Sequence, residues 1–271
     1  MLLTNYKRVL KDNNEDCIKL YGLLINTFVT NANIKEGELH EISKDYYMPS
    51  VETLDTSSMF STDPENKDRK LNVQVHLFYD DQDARSSFTS FMAKLGPATK
   101  ETDNYVIIDK KKGNKTVRIF ATKPANDNDG VDSNLSALNT ALGELPVHLM
   151  VHRGHSYHVH RTMPHIVART KLIFLGSCGG YTRIEEVLDN STNAQVISTK
   201  GTGRMGINNP LLFAIRDDLL NKDRIEWSKL WSQIGAKFSG KMKKDWEDYV
   251  SPAKNYALKF LRAYRELESK D

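Results

Sequence analysis

The sequence predicts an α/β fold, a three-layer α/β/α sandwich around a mostly parallel sheet, with extra helices at both ends. Strand and helix patterns alternate from residue 71 onward, which implies parallel strands joined by crossover helices. Three short runs, 147–151, 172–175 and 195–197, are apolar apart from His148 and Gln195, as strands covered on both faces are. The chain has 271 residues, long enough to bury a large core without disulfide or metal staples.

The elements follow in order. Residues 1–43 read as helical, with Ile18, Leu20, Tyr21, Leu23, Leu24 and Phe28 on a broad apolar face. Residues 44–70 are rich in Ser, Thr, Asp, Pro and Lys without periodicity. They predict a long loop or linker open to proteolytic nicking. Residues 1–70 are therefore expected as a helical N-terminal segment plus linker, and 71–271 as the main domain with a C-terminal helical extension. Within that domain, 71–79 reads as a strand and 83–95 as an amphipathic helix closed by Gly96-Pro97. Two strands at 105–109 and 115–122 flank a turn at Gly113-Asn114, and 134–145 reads as a helix capped by Ser133. The C-terminal region predicts helices over 210–220, around Trp227, Leu230, Trp231, Ile234 and Phe238, and around Tyr256, Phe260, Tyr264 and Leu267.

Composition excludes several function classes. Lys and Arg number 38 against 35 Asp and Glu, a net charge of +3 with the basic residues scattered, so no basic stripe argues for nucleic acid. No apolar run approaches the length of a transmembrane helix or a signal peptide, so no membrane contact and a cytoplasmic location are expected. Two cysteines, Cys17 and Cys178, are too few for a disulfide framework or a cysteine-based zinc site. Cys17 falls on the apolar face of an N-terminal helix and reads as packing.

In parallel α/β sheets, functional groups gather past the carboxyl ends of the strands. The run 147–151 leads into His152-Arg153-Gly154-His155-Ser156, and 172–175 leads into Gly176-Ser177-Cys178-Gly179-Gly180. A histidine and a cysteine thus follow two strands expected to be neighbours. A Cys–His pair is the minimum for thiol catalysis, because imidazole takes the thiol proton and returns it to the leaving group. The glycines leave backbone N–H groups open to an oxyanion.

These segments resemble the caspase-like clan of cysteine peptidases, which includes caspases, gingipains, clostripain, legumain and separase. TKLIFLGSCGGY is similar to the caspase segment bearing the nucleophile, and Cys178-Gly179-Gly180 fits the second half of its signature. RGHS resembles the Gly-His-Gly version of the histidine motif and places the catalytic role on His155 rather than His152. VISTKGTGRMGINNPLLFAI is similar to the strand, loop and helix that follow. The resemblance spans roughly 71–221. It implies a cysteine endopeptidase acting on polypeptides without cofactor or metal, with Cys178 as nucleophile and His155 as acid and base. The N–H groups of Ser156, Cys178 and Gly179 are the implied oxyanion donors. Self-processing within 44–70 is a further expectation. Ser156 departs from the usual glycine, Gly176 from the caspase glutamine, and the His155 to Cys178 spacing is shorter than in caspases. The Gly176 departure argues against caspase-type aspartate specificity.

Other readings stand beside this one. Cys178 also fits a buried structural thiol, which leaves a non-catalytic interaction domain with the same fold. Five of the eight histidines, His152, His155, His158, His160 and His165, fall in one short segment and suggest a metal-dependent hydrolase, although no acidic residue lies in 146–184. Gly201-x-Gly203-x-x-Gly206 matches the dinucleotide fingerprint but lacks a following strand with an acidic end, so it reads as a flexible loop near the site. Gly176, Lys200, Arg204 and Asp80 are candidate substrate contacts. Asp80, Asp81 and Asp83 otherwise read as helix-capping charges.

Overall fold

A computed structural model describes residues 1–48 and 51–268. The chain divides into two compact units, Met1–Val51 together with the segment beginning at Ala253, and Glu52–Pro252.

The first unit is helical. It contains α1 (Leu2–Lys11), α2 (Glu15–Ala32) and α3 (Glu38–Ser43). Asn14 starts α2 by accepting the Cys17 N–H at 3.0 Å, with Glu15 and Asp16 in the positive first turn, and Asn33 ends it in the left-handed region at φ 53°. Tyr6, Ile25 and Val29 form its core, and Leu2, Ile18, Tyr21 and Ile42 pack against them. The Tyr6 and Tyr46 hydroxyls lie 2.9 Å apart.

The second unit opens with β1 (Thr53–Asp55) and β2 (Ser61–Asp63), followed by the long β3 (Asn66–Phe78). The expected loop over 44–70 is thus interrupted by β1, β2, a single helical turn at Ser57–Met59 and the start of β3, with connecting turns between them; residues 49 and 50 lie outside the described residues. Its polar sequence is explained by short, half-exposed strands that bury little on either side. Next come α4 (Gln82–Leu95), β4 (Lys100–Glu101), the β5 (Tyr105–Lys112) and β6 (Lys115–Thr122) hairpin, and α5 (Asn128–Leu142). Helix α5 starts six residues before the expected 134. Its N-cap is Asp127, accepting the Gly130 N–H at 2.8 Å, and not Ser133. Then follow β7 (Val147–Arg153), α6 (Val159–Thr162), β8 (Leu172–Leu175), α7 (Ile184–Asn190), β9 (Gln195–Thr199) and α8 (Met205–Asn221). The unit closes with β10 (Arg224–Glu226), α9 (Trp227–Gly235), α10 (Gly240–Glu247) and β11 (Tyr249–Val250). The last helix, α11 (Tyr256–Glu268), falls in the helical first unit, so the main unit ends near 252 and this part of the expected C-terminal helical extension lies outside it.

The main sheet has the order β11-β9-β8-β7-β3-β6-β5-β4, and β2 pairs with β3. Its five central strands, β9-β8-β7-β3-β6, are parallel, and the outer pairings are antiparallel. Strands β1 and β10 form a separate two-stranded ribbon. Helices cover both faces. On β3, His76 stacks on Phe91 of α4 at 4.8 Å, and the ring of Phe78 lies 5.2 Å from that of Phe88. Val75, pointing the other way, meets the α5 side, where it lines a cavity with Leu138. Phe213 of α8 stacks on Phe91 at 5.2 Å, which puts α8 on the α4 face. The β3–β7 register shifts at Val73, where the buried His148 ring takes over as acceptor of the Val73 N–H at 3.1 Å. Among the described residues, no helix is long and apolar enough to cross a membrane.

Candidate active site

Strands β7 and β8 are parallel neighbours, with His152 in register with Leu175. Past their carboxyl ends lies a cavity of about 160 Å³, lined by Arg153, Gly154, His155, Gly176, Ser177 and Cys178 from these two strand ends. Asp83, Ser86 and Ser87 of α4, with Gly203, Arg204, Met205 and Asn208 from the loop and start of α8, complete the wall. Cys178 is exposed and free.

The turn between β7 and α6 is set by a carboxylate from β3's end. Asp81 caps α4 through one oxygen, accepting the Ala84 N–H at 2.8 Å, and accepts the His155 N–H at 3.1 Å through the other. A side chain at Gly154 would press on this carboxylate, with a Cβ only 2.7 Å from Asp81 Oδ2, so glycine is required there. The His155 ring is half exposed; its Nε2 stands 3.8 Å from Asp83, and its face stacks on Tyr157 at 5.5 Å. The turn places His155 and Cys178 on one cavity, although neither is held by the other's element.

The other histidines of the cluster do different work. His152 is fully buried, with Nδ1 2.7 Å from Thr162 Oγ1 and Nε2 3.1 Å from the His155 carbonyl, and burial pushes its pKa down to about 4. His158 is buried, stacked on Tyr79 at 4.7 Å and 2.7 Å from Asp80; burial lowers its pKa while Asp80 and Asp81 oppose the shift. His160 Nδ1 lies 2.6 Å from the Tyr157 carbonyl. The histidines do not converge on a point. Among the described residues, the set with metal-ligand spacing is Asp81, Asp83 and His155, whose ligand atoms lie within 4.8 Å of one another. Its two carboxylates lie outside 146–184, at the N-cap and in the first turn of α4.

The remaining candidates separate. Gly176 and Arg204 line the cavity, and the Arg204 guanidinium is paired with Asp245 at 2.9 Å. Asp80 and Lys200 do not line it: Asp80 faces His158, and the Lys200 ammonium sits 5.0 Å over the Tyr181 ring. Ser156 begins a single helical turn, Ser156–His158, outside the lining. The Gly179 N–H is committed to the Gly201 carbonyl at 3.0 Å, which removes it from the expected oxyanion donors.

That bond explains the glycine-rich stretch. A Cβ at Gly203 would overlap the Gly176 carbonyl oxygen, and one at Gly201 would overlap the Asp248 carboxylate. The expected flexible loop is instead clamped against the Cys178 turn. The strand after α8, β10, pairs antiparallel with β1 in the separate ribbon, so the dinucleotide arrangement is absent among the described residues.

Sequence reasoning passed over Arg153. Its side chain is fully buried, with the guanidinium 5.1 Å over Phe78 and 5.5 Å over Phe91, and one terminal nitrogen donating to Asn209 Oδ1 at 2.6 Å. A basic residue ending an apolar strand looks like a surface residue; the signal was the pair of aromatics, Phe78 and Phe91, on neighbouring elements of the same face. Asn208 is fixed by Tyr249, whose hydroxyl donates to its Oδ1 at 2.8 Å, and by its own donation to the Gly176 carbonyl at 3.0 Å. No family model and no curated protein matches this chain.

Proposed function

We propose that the chain is a cysteine endopeptidase with the three-layer α/β/α sandwich of the caspase-like clan. The observation that carries this reading is that Cys178 and His155 line one cavity past the carboxyl ends of adjacent parallel strands. The Cys178 sulfur attacks the scissile carbonyl and forms a C–S bond, and His155 takes the thiol proton. His155 then delivers that proton to the leaving amine as the C–N bond breaks, and water hydrolyses the acyl-enzyme. The carboxylate of Asp83 stands 3.8 Å from Nε2 on the rim of the same cavity. The Cys178 N–H is the nearest oxyanion donor by sequence, now without Gly179. Self-processing between residue 44 and β1 belongs to the same proposal.

The decisive experiment is Cys178→Ala on a panel of peptides differing in the residue before the scissile bond (P1). Hydrolysis is expected to vanish while the fold, by circular dichroism, is retained; activity retained in this variant sinks the proposal. A second reading rests on Asp81, Asp83 and His155 as a metal set. Under that reading, a chelator abolishes hydrolysis and zinc restores it, whereas the thiol mechanism survives the chelator and is inhibited by added zinc, which binds thiolate and imidazole.

A further inference from the structure

The cavity beside Cys178 holds a buried charge with no counter-charge. Among the described residues, no carboxylate lies within ion-pair distance of Arg153, and one of its terminal nitrogens, Nη1, is buried without a hydrogen-bond partner. Next to Cys178, the Ser177 hydroxyl is likewise buried and unpartnered. Both residues line the cavity. Burial lowers the Arg153 pKa to about 10, which leaves it a cation at neutral pH. A buried guanidinium and a buried hydroxyl left unsatisfied are costly to the fold, and such groups persist where a ligand completes them.

The guanidinium can only donate and the hydroxyl is able to donate, so one acceptor serves both, and the charge of Arg153 makes it an anion. A planar guanidinium suits a carboxylate. The volume of about 160 Å³ is below the roughly 300–1,000 Å³ of pockets for drug-sized ligands, and fits one short side chain. The other charged groups of the lining leave this demand unmet. Arg204 is paired with Asp245, and Asp83 stands at the exposed rim facing His155.

We propose that this cavity is a carboxylate pocket in which Arg153 and Ser177 hold the side chain of an aspartate or glutamate at P1, so that the bond cleaved follows an acidic residue. This rests on the peptidase reading for the bond cleaved, but not for the carboxylate. It also reverses the expectation drawn from Gly176, because the acid is recognised from the end of β7 rather than from two residues before the cysteine.

Two measurements on the full chain test it separately. The first is kcat/KM on peptides with Asp, Glu, Asn, Gln, Leu or Arg at P1; the acidic peptides are expected to exceed their amides at least about tenfold. The second is the rate of Cys178 alkylation by iodoacetate and by iodoacetamide, read by peptide mass so that Cys17 is distinguished. In both reagents the sulfur displaces iodide from a methylene carbon; only iodoacetate carries a carboxylate. The iodoacetate-to-iodoacetamide ratio, relative to that of glutathione, is expected to be raised at least about tenfold, and excess succinate is expected to lower it. Arg153→Met should remove the preference. Should that variant not fold, Ser177→Ala and the succinate competition carry the test, with a drop of about threefold or more expected for the serine variant.

Cleavage after neutral or basic residues with no iodoacetate preference overturns the carboxylate pocket and leaves the peptidase. An iodoacetate preference without hydrolysis of any peptide keeps the pocket, as a site for a small free carboxylate, and removes the peptidase. Absence of both overturns the pocket outright.

Discussion

The ring of His152 is tied to the carbonyl of His155, with Nε2 3.1 Å from the oxygen. A carbonyl can only accept, so Nε2 carries the proton and Nδ1 accepts from the Thr162 hydroxyl at 2.7 Å. The Thr162 oxygen in turn accepts from the Tyr79 hydroxyl at 2.7 Å. A chain of neutral hydrogen bonds thus runs from the end of β3 to the backbone of the candidate base.

Thr162→Val keeps the shape and breaks this chain twice, stranding Tyr79 Oη and His152 Nδ1 in the interior. A loss of about 1–3 kcal/mol in unfolding free energy is expected. Urea denaturation checks it, and a cost within a few tenths of a kcal/mol would show that the chain is not made.

The same buried imidazoles set an acid limit. His148 and His152 are both pushed down to about 4 by burial, from an ordinary value near 6.5. Between those values the unfolded chain binds protons that the folded chain refuses. Stability is therefore fully present above about pH 6.5 and falls as the pH drops toward 4, by on the order of 3 kcal/mol for each group. Unfolding free energies measured at pH 7 and pH 4.5 test this. His148→Gln, which keeps an acceptor for the Val73 N–H, should flatten the slope.

Glycines 203 and 206 belong to one motif but differ in what a methyl group would meet. At Gly203 it overlaps the Gly176 carbonyl, whereas at Gly206 it meets only the flexible end of Met242 at 3.0 Å. Gly203→Ala is expected to cost about 1–3 kcal/mol and to depress activity through the Cys178 turn, while Gly206→Ala changes stability by less than about 1 kcal/mol. Equal effects in thermal melts and peptide assays would count against the clamp.

His155→Ala should lower kcat by about a hundredfold or more on any peptide the wild type cleaves, the usual contribution of a positioned acid and base. His160→Ala, by contrast, should leave it unchanged, since that ring only reaches the Tyr157 carbonyl.

The central strands were legible because burial on both faces leaves little choice of residue. Leu172–Leu175 and Gln195–Thr199 show this directly, as does β7, whose every residue is buried. Polar strands were not legible. Strand β3 begins with Asn66, Lys67, Asp68, Arg69 and Lys70, which β2 and β6 pair through the backbone while the side chains stay in solvent. The N-cap at Asp127 was readable in principle, yet Asn128-Asp129-Gly130 looks like a turn by composition. At the site, Cys178 and His155 stood out by type and position. The roles of Asp81 and Arg153 were hidden, because each depends on a partner distant in sequence: the His155 amide for the first, Phe78 and Phe91 for the second.

The β9 side of the main sheet is closed by residues from both ends of its unit. Strand β11, near residue 250, pairs with Ser198 and Thr199. Further along β9, the Gln195 side chain bonds the Thr53 carbonyl at 2.9 Å and the Trp227 indole at 2.6 Å. A strand edge left bare invites pairing with other chains. Trimming the unit from either end, up to β1 or back past β11, therefore uncovers part of β9, so shortened versions should aggregate even with every residue around Cys178 in place.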